Sequence, residues 1–333
     1  IKPGRMIISI RTILIKQQKT FKQPTSQECM AKRLESPSSI NTFKQCKRKY
    51  YYQYIEKLPT SSSIHLVRGN IAHSVLEDFY DINIADFNEE NYQLKFKEAI
   101  QKLLLYQWNK YKSGLDELEL SPDQITFYFE ETMFMLMNWC NQFLEEFDRM
   151  RKEKDISMGE TFMKLTPIRE LQYKSEEHHV RGFIDAIQHT ENEVHIIDYK
   201  TNAKFDFKQS IKLQLAIYSM MYYEKHGKMP NKVGIFFLRQ KLRMMDVDMN
   251  LIEMAKKEIT EVHEHTSSCE HAHEYPRTIT PLCKWRTGEC NFYAVCKPKE
   301  TNEEQERMIF EEKNRTSEKI EIKENKSKLS AFF

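Results

Sequence analysis

The 333-residue chain has few glycines and a net charge close to zero, and each of these features excludes a class of protein. With only 8 glycines and no GxxxxGK[ST] segment, it lacks the marks of a glycine-rich dinucleotide fold or of a P-loop motor. The formal net charge is +2, so a polyanion must be held by a local basic patch rather than by a global field. No apolar run approaches the length that spans a bilayer, and we therefore expect no membrane partner.

Features of secretion are also missing. The early apolar run MIISIRTILI is short, is interrupted by Arg11 and has no small-residue cleavage site. The seven cysteines are an odd number. We therefore expect a cytoplasmic protein whose reduced thiols are available as metal ligands.

Composition divides the chain into three parts. We expect a disordered leader over residues 1–35, a folded domain over 36–298 and a charged tail over 299–333. From Lys297 onwards the chain contains 9 Lys/Arg and 9 Glu, with few apolar residues before its last turn. Such a segment cannot bury enough apolar surface to join a core.

Helical periodicity dominates the first half of the domain. Helices are predicted from Ser38, over 70–81, over 91–111 and over 122–152. The two long helices form a helical insertion at about 86–155. Their apolar stripes are expected to pack on each other rather than to hold a cofactor.

Strand-like patterns begin after Glu160. The β-rich segments are TFMKLTPIRELQYK, HHVRGFIDAI and EVHIIDYKT, and the last two are separated by the turn HTEN. A helix over 206–226, a strand over 232–239 and a short strand in LRMMDVDM follow. The order helix, three strands, helix, strand predicts an α/β core.

Two carboxylates lie in neighbouring strands of this core. If the hairpin turn centres between Glu191 and Asn192, antiparallel pairing sets Asp185 directly opposite Asp198. Opposed carboxylates repel, and a divalent cation between them removes that penalty. The strand period of two sends Lys200 to the same face as Asp198. Oxygen-rich acidic sites suit Mg²⁺ or Mn²⁺, and such a metal would favour hydrolysis of a phosphodiester. The alternative is that these residues form a surface salt bridge.

Three further features support a site here. Gln214 and Tyr218 lie at i and i+4 within an apolar helix stripe, so both face one side. His73 and Glu77 have the same spacing on an earlier helix, and a neutral imidazole there suits a metal shell, with a core histidine as the alternative. Glu170 opens the preceding strand, where it either reaches the edge of the site or is simply exposed.

Taken in order, the segments GNIAHSVLE, GFID, IIDYKT and LQLAIY resemble the RecB-type branch of the PD-(D/E)XK nuclease superfamily. That branch includes helicase–nuclease nuclease domains and CRISPR-associated exonucleases. The resemblance covers about residues 38–296. It implies a restriction-endonuclease-like core and a metal-dependent DNA nuclease that uses Mg²⁺ or Mn²⁺. Because the chain has no motor of its own, a separate helicase is a candidate partner.

The resemblance also implies roles for individual residues. The implied metal ligands are His73, Asp185, Asp198 and the carbonyl of Tyr199. Lys200 would be the catalytic lysine, and Gln214 and Tyr218 the helix motif that contacts DNA or orients the site. No motif residue is missing, which favours an enzyme.

Three cysteines lie close together in CKWRTGECNFYAVC, within a Cys-rich segment over 281–296. Cys283, Cys290 and Cys296 need a fourth ligand for zinc or an iron–sulfur cluster, and Cys46 is a candidate. In the family that the chain resembles, one early and three late cysteines hold a [4Fe–4S] cluster that staples the chain ends. The late spacing here is C-x₆-C-x₅-C, four residues longer than the usual C-x₂-C-x₅-C. Zinc and unliganded thiols are the alternatives.

A basic and aromatic run, CKRKYYYQY, follows Cys46 directly. Lys47, Arg48 and Lys49 precede four tyrosines, a combination that suits phosphate neutralisation and base stacking. The alternative is an amphipathic helix whose tyrosines are buried.

The chain ends in KSKLSAFF, where Leu329, Phe332 and Phe333 would share one side of a helical turn. Large apolar residues at the end of a charged tail suggest a motif that folds on a partner. The pattern is similar to the sliding-clamp-binding motif Q-x-x-h-x-x-a-a, with Lys326 in place of the glutamine. The alternative is a tail that folds back on its own domain.

The sequence thus predicts a metal-dependent nuclease that hydrolyses phosphodiester bonds of single-stranded or end-bearing DNA in replication, recombination or repair. RNA remains open as a substrate. The alternative is a non-catalytic DNA-binding or clamp-associated scaffold module with the same fold. The complete set Asp185, Asp198 and Lys200 favours the enzyme.

Overall fold

The computed structural model describes residues 33–202, 208–286 and 288–296. The expected leader up to residue 32 and the tail from residue 297, with Leu329, Phe332 and Phe333, lie outside the described residues. Within the described part of the chain, no helix is both long and apolar enough to cross a membrane.

Ten α-helices occur in the described residues. They are α1 (Pro37–Gln45), α2 (Lys47–Tyr50), α3 (Ile64–Phe79), α4 (Tyr92–Lys110), α5 (Lys112–Asp116), α6 (Pro122–Lys154), α7 (Met158–Leu165), α8 (Gln209–His226), α9 (Met249–Ser268) and α10 (Tyr293–Cys296). A π-helical segment, Tyr51–Ile55, continues α2, and a 3₁₀ turn covers Ala272–Glu274. The long insertion helices α4 and α6 match the prediction to within two residues at each end.

Five strands form one mixed sheet in the order β1-β2-β3-β4-β5. They are β1 (Ile168–Ser175), β2 (Val180–His189), β3 (Val194–Lys200), β4 (Lys232–Phe237) and β5 (Leu242–Asp246), and a separate two-stranded ribbon joins β6 (Lys284–Trp285) to β7 (Gly288–Glu289). β3 and β4 are parallel and α8 lies between them in the chain, whereas the other neighbours are antiparallel. The predicted core order of helix, three strands, helix and strand is confirmed.

The sheet is buried on both faces. In β4, Ile235 and Phe237 belong to one buried cluster, whereas Phe236 between them belongs to another. The first cluster includes apolar residues of α1, α8 and α9, and the second those of α3, α4, α6 and α7. The strands therefore lie between two helical layers.

The predicted register of the β2–β3 hairpin is confirmed. The paired residues are Ala186 with Ile197, Ile187 with Ile196, Gln188 with His195 and His189 with Val194. The next pair in this register, Asp185 and Asp198, lies one step beyond the last pair of the ladder. The two aspartates are therefore at the open end of the hairpin.

Three predicted elements differ in the structure. The start of TFMKLTPIRELQYK is helical, since Ser157 and Glu160 form a reciprocal capping box that begins α7. The helix predicted from Ser38 is broken at Cys46, whose φ of −162° and ψ of 111° are extended. α3 also begins earlier than predicted, at Ile64, because Ser63 caps it.

The segment Arg33–Glu35, ahead of the expected domain boundary, contacts the sheet. Glu35 donates its N–H to the carbonyl of His179 at 2.8 Å and accepts from the N–H of Arg181 at 2.9 Å. Its buried carboxylate accepts hydrogen bonds from Tyr50 Oη and Ser39 Oγ, each at 2.5 Å. This carboxylate ties the start of the domain to α1 and α2.

Candidate active site

The end of β3 carries an ion pair between two of the predicted site residues. Asp198 is 2% exposed, and its Oδ2 lies 2.7 Å from Nζ of Lys200. Burial raises the pKa of Asp198, and Asp185 adds to this, although Lys200 acts in the opposite direction. Burial lowers the pKa of Lys200, but the charge of Asp198 outweighs this and raises it. Lys200 is therefore an ammonium group at neutral pH.

Helix α8 holds the carboxylate of Asp198 in place. Nε2 of Gln214 donates to Oδ1 of Asp198 and to Oη of Tyr218, each at 2.9 Å. The i, i+4 spacing predicted this pairing. Gly182 lets the helix approach β2 closely, because a Cβ at this position would lie 3.0 Å from the ring of Tyr218.

Asp185 connects β2 to β3 and to α3. Its Oδ2 accepts the N–H of Tyr199 at 2.8 Å and lies 3.3 Å from Nδ1 of His73. The other ring nitrogen of His73, Nε2, is 3.0 Å from the carbonyl of Tyr199. Burial lowers the pKa of His73, but hydrogen bonds to Asp185 and Glu170 and the nearby carboxylate charges outweigh it and raise the pKa to about 10.

Glu170 joins this group from β1. Its Oε1 lies 3.9 Å from Nδ1 of His73, and the ligand atoms of His73, Glu170 and Asp185 all lie within 4.8 Å of one another. Glu170 has a φ of 46°, in the left-handed region, a conformation that a non-glycine residue adopts at a cost. The flanking β1–β2 pairs set it opposite Asp185. A prediction of the β1–β2 register would have found this contact.

The group carries an excess of negative charge. Four carboxylates, those of Asp185, Asp198, Glu170 and nearby Glu77, lie beside three cationic side chains, those of Lys200, Arg169 and His73. Burial raises the pKa of Glu77, and the charge of Glu170 adds to this. An open groove of about 620 Å³ leads to the site and is lined by both aspartates, Lys200 and the residues of α8 that contact them. The arrangement can therefore attract a cation and admit a substrate from solvent.

A buried charge network behind the site was not predicted. Arg68 of α3, 3% exposed, bonds to Glu131 of α6, which also pairs with Nη1 of Arg239 at 2.5 Å. Nε of Arg239 donates to the carbonyl of Thr201 at 3.3 Å. Hydrogen bonding to Arg239 lowers the pKa of Glu131. The network fixes the chain just after Lys200, and its members are too far apart in sequence for a local pattern to reveal it.

The four predicted cluster ligands share one cavity of about 40 Å³. Cys46, Cys283, Cys290 and Cys296 all line it. Sγ of Cys46 accepts the N–H of Thr278 at 3.5 Å, and the N–H of Cys290 donates to the carbonyl of Cys283 at 2.9 Å. The helix break at Cys46 turns this residue towards the late cysteines.

The three basic residues after Cys46 are half-buried and contact other residues of the protein. Nε of Arg48 donates to the carbonyl of Tyr275 at 2.8 Å. Nζ of Lys47 lies 4.9 Å from the ring centre of Phe43, and Nζ of Lys49 donates to Gln45 at 3.2 Å. Of the four tyrosines suggested for base stacking, Tyr50 and Tyr52 are buried, whereas Tyr51 and Tyr54 are half-buried. The buried-face interpretation of the tyrosines is therefore the one that the structure favours.

Carboxylates and an ammonium group gathered at one end of a sheet, below an open groove, are the chemistry of an enzyme that cleaves phosphodiester bonds. That class is the nucleases. The chain belongs to the PD-(D/E)XK nuclease superfamily, whose family model matches residues 35–297.

Among solved structures, the chain is similar to the crystal structure of a "Putative exonuclease" from Eubacterium rectale. The sequence identity is 11% and the TM-score 0.39, over 83% of this chain and 99% of that chain. A search of curated proteins finds no match.

Proposed function

We propose that this nuclease is a metal-dependent deoxyribonuclease of the RecB type. It hydrolyses phosphodiester bonds of single-stranded or end-bearing DNA in replication, recombination or repair. The observation that carries the proposal is the convergence of Asp185, Asp198, Lys200 and His73 in one groove, with the carboxylate of Glu170 within 4.8 Å of the ligand atoms of His73 and Asp185. Membership of the superfamily supports it.

The donor atoms fit a small divalent cation. Ligands about 2.1 Å from an octahedral ion are about 3.0 Å apart when adjacent and about 4.2 Å when opposite. The distances from His73 Nδ1 to Asp185 Oδ2 and to Glu170 Oε1 are 3.3 and 3.9 Å. These residues would hold Mg²⁺ or Mn²⁺ together with Asp198 and the carbonyl of Tyr199, and His73 would release its proton when the ion binds. When bound, the ion supplies Lewis-acid stabilisation of the charge that builds on the phosphodiester.

Lys200 acts as a cation towards the phosphate. Burial lowers its pKa, but the charge of Asp198 outweighs this effect and favours the ammonium form. An ammonium group that is already in place stabilises developing negative charge without reorganisation. Gln214 and Tyr218 position Asp198. Gln214 donates a hydrogen bond to the carboxylate of Asp198, and Tyr218 accepts one from Gln214.

The cavity lined by four cysteines supports the [4Fe–4S] cluster as a structural group. Thiolates about 2.3 Å from a tetrahedral zinc ion would lie about 3.8 Å apart. Among the described cysteines, no three sulphur atoms lie within 4.8 Å of one another. Cys46, Cys283, Cys290 and Cys296 would hold the cluster, and zinc is the alternative.

Partners other than DNA are proposed from the sequence. Leu329, Phe332 and Phe333 lie outside the described residues and would bind a sliding clamp. Deleting them should abolish clamp binding in a pull-down and leave cleavage of free DNA unchanged. A separate helicase would supply unwound substrate, since the chain has no P-loop.

The test uses end-labelled single- and double-stranded DNA with Mg²⁺, Mn²⁺ or a chelator. Wild-type protein should cleave only with a metal, and Asp198→Ala should abolish cleavage while the circular dichroism spectrum is retained. Asp246→Ala, on the exposed end of β5, is the matched control and should cleave like wild type. Cleavage by Asp198→Ala at the wild-type rate would contradict the site. Binding without cleavage by wild-type protein on every substrate would favour the scaffold alternative.

A further inference from the structure

The exposed face of β2 carries three side chains that point into the groove. Arg181, Phe183 and Asp185 alternate with the buried Val180, Gly182 and Ile184 along the strand. Alternate residues of a strand lie on one face, and these three all line the groove. A cation, an aromatic ring and a carboxylate of the candidate active site therefore follow one another in a row.

Phe183 is exposed although it is large and apolar. It is 54% exposed on β2, two residues from Asp185. No aromatic partner for its ring occurs in the described ranges 33–202, 208–286 and 288–296. Exposure of such a ring costs hydrophobic free energy unless a ligand covers it.

Basic charge lies at the outer end of the row. Arg181 faces Lys174 across the β1–β2 ladder, and like charges in directly opposed positions repel. Lys174 is partly neutralised by Glu176 at 2.6 Å, whereas Arg181 has no ion-pair partner among the described residues. An anion at this end removes the repulsion.

The order of these groups fits one kind of ligand. Two residues of an antiparallel strand span about 6.8 Å. The cation, the ring and the carboxylate therefore lie at regular intervals, and each can contact a successive part of one extended ligand chain. A ring can stack on a base only if that base is unpaired, because a duplex turns its bases inwards. The charge complementarity and the continuity with the site favour a nucleic acid over an acidic peptide, which has no flat ring to stack.

We infer that Arg181 and Phe183 form a track for single-stranded DNA, with one base stacked on Phe183 and a phosphate held by Arg181, that leads the strand to Asp185. The inference rests on the proposed nuclease function and names the residues that select an unpaired substrate. Serines 36 and 38, at the start of α1, line the same groove and face the track.

The test measures binding without chemistry. Full-length protein is titrated into fluorescently labelled oligothymidylate, and into a duplex of the same length, with Ca²⁺ in place of Mg²⁺ and at several salt concentrations. Phe183→Ala should weaken single-strand binding about 5- to 150-fold, the range for loss of one stacked base, with an unchanged salt slope. Phe183→Tyr should restore it. Arg181→Ala should lower the slope of log K against log salt by about 0.7, as one lost phosphate contact does on a single strand.

Tyr106→Ala is the matched control, because Tyr106 is a 61%-exposed aromatic residue on α4 of the helical layer. It should bind like wild type. Wild-type affinity in Phe183→Ala, or an equal loss on single strand and duplex, would overturn the inference.

Methyl p-nitrophenyl phosphate, a chromogenic phosphodiester without a nucleobase, separates this failure from failure of the proposed function. Because it has no base to stack on Phe183, its hydrolysis by wild-type protein measures the chemistry alone. Loss of its hydrolysis in Phe183→Ala would place Phe183 in the chemistry instead and would also overturn the inference. If wild-type protein neither hydrolyses it nor cuts DNA, the nuclease proposal fails. The binding titrations still show whether Arg181 and Phe183 bind single-stranded DNA.

Discussion

Replacing Gly182 by alanine tests how closely α8 must approach β2. A Cβ at residue 182 would lie 3.0 Å from Cε1 of Tyr218, 3.3 Å from Cε of Met221 and 3.4 Å from Cδ of Pro37. The ring of Tyr218 must therefore move by a few tenths of an ångström. That ring is hydrogen-bonded to Gln214, which also holds Asp198, so the displacement reaches the candidate active site.

The expected size of the effect follows from two opposing contributions. Overpacking a core contact costs about 1–3 kcal/mol. Gly-to-Ala replacement at a compatible backbone angle returns about 0.4–1 kcal/mol by restricting the unfolded chain, and Gly182 is not at positive φ. We expect a net loss of up to about 2.6 kcal/mol, with a central value of about 1.3 kcal/mol, which lowers Tm by up to about 10 °C. Because a shift of about 1 Å in a positioned group costs about 100-fold in rate, we expect kcat to fall several-fold.

Gly159 provides the control on α7. No atom lies within 4 Å of a Cβ built there, and its φ is not positive either. Gly159→Ala should raise Tm slightly and leave kcat unchanged. The assays are thermal unfolding by circular dichroism and cleavage of a labelled oligonucleotide. If Gly182→Ala has the Tm and kcat of the wild type, the helix does not need the glycine and the argument is refuted.

Three further replacements test the site, its support and the cysteine cavity. Glu170→Gln should raise the Mn²⁺ concentration for half-maximal cleavage by about 10- to 100-fold, and an unchanged titration would remove Glu170 from the metal site. Glu131→Ala should lower the free energy of unfolding in urea by about 3 kcal/mol, because it leaves the buried guanidinium of Arg68 unpaired; a change below about 1 kcal/mol would contradict this. Cys290→Ser should lower both bound iron and Tm, while Cys269→Ser should change neither; equal iron in both variants would argue against the cluster.

The hairpin and the α8 contacts could be predicted because they depend on local periodicity. The turn HTEN sets the β2–β3 register, and the strand period then sends Asp198 and Lys200 to one face. The i, i+4 spacing of Gln214 and Tyr218 likewise decides which way both point. These signals need only a few neighbouring residues.

The errors arose where a longer-range contact or a cap decides the local structure. The segment TFMKL alternates in hydrophobicity and was predicted as a strand, but the Ser157–Glu160 capping box starts a helix there. The chain around Cys46 is helical in pattern on both sides, and tertiary contacts such as that of Arg48 with Tyr275 accompany its break. Glu170 was expected either at the edge of the site or exposed, and the β1–β2 register, which was not predicted, decides for the site.

The cysteine cavity also has a consequence for the order in which the protein forms. The contact between Cys46 and Thr278 joins positions 232 residues apart, whereas the groups of the candidate active site are all synthesised once Tyr218 has been added. At about 5–20 residues per second, Cys46 leaves the ribosome roughly 12–46 s before Thr278. The nuclease groove can therefore assemble on a nascent chain in which Cys46 is still an unprotected thiol, and insertion of any cluster must be among the last steps of maturation.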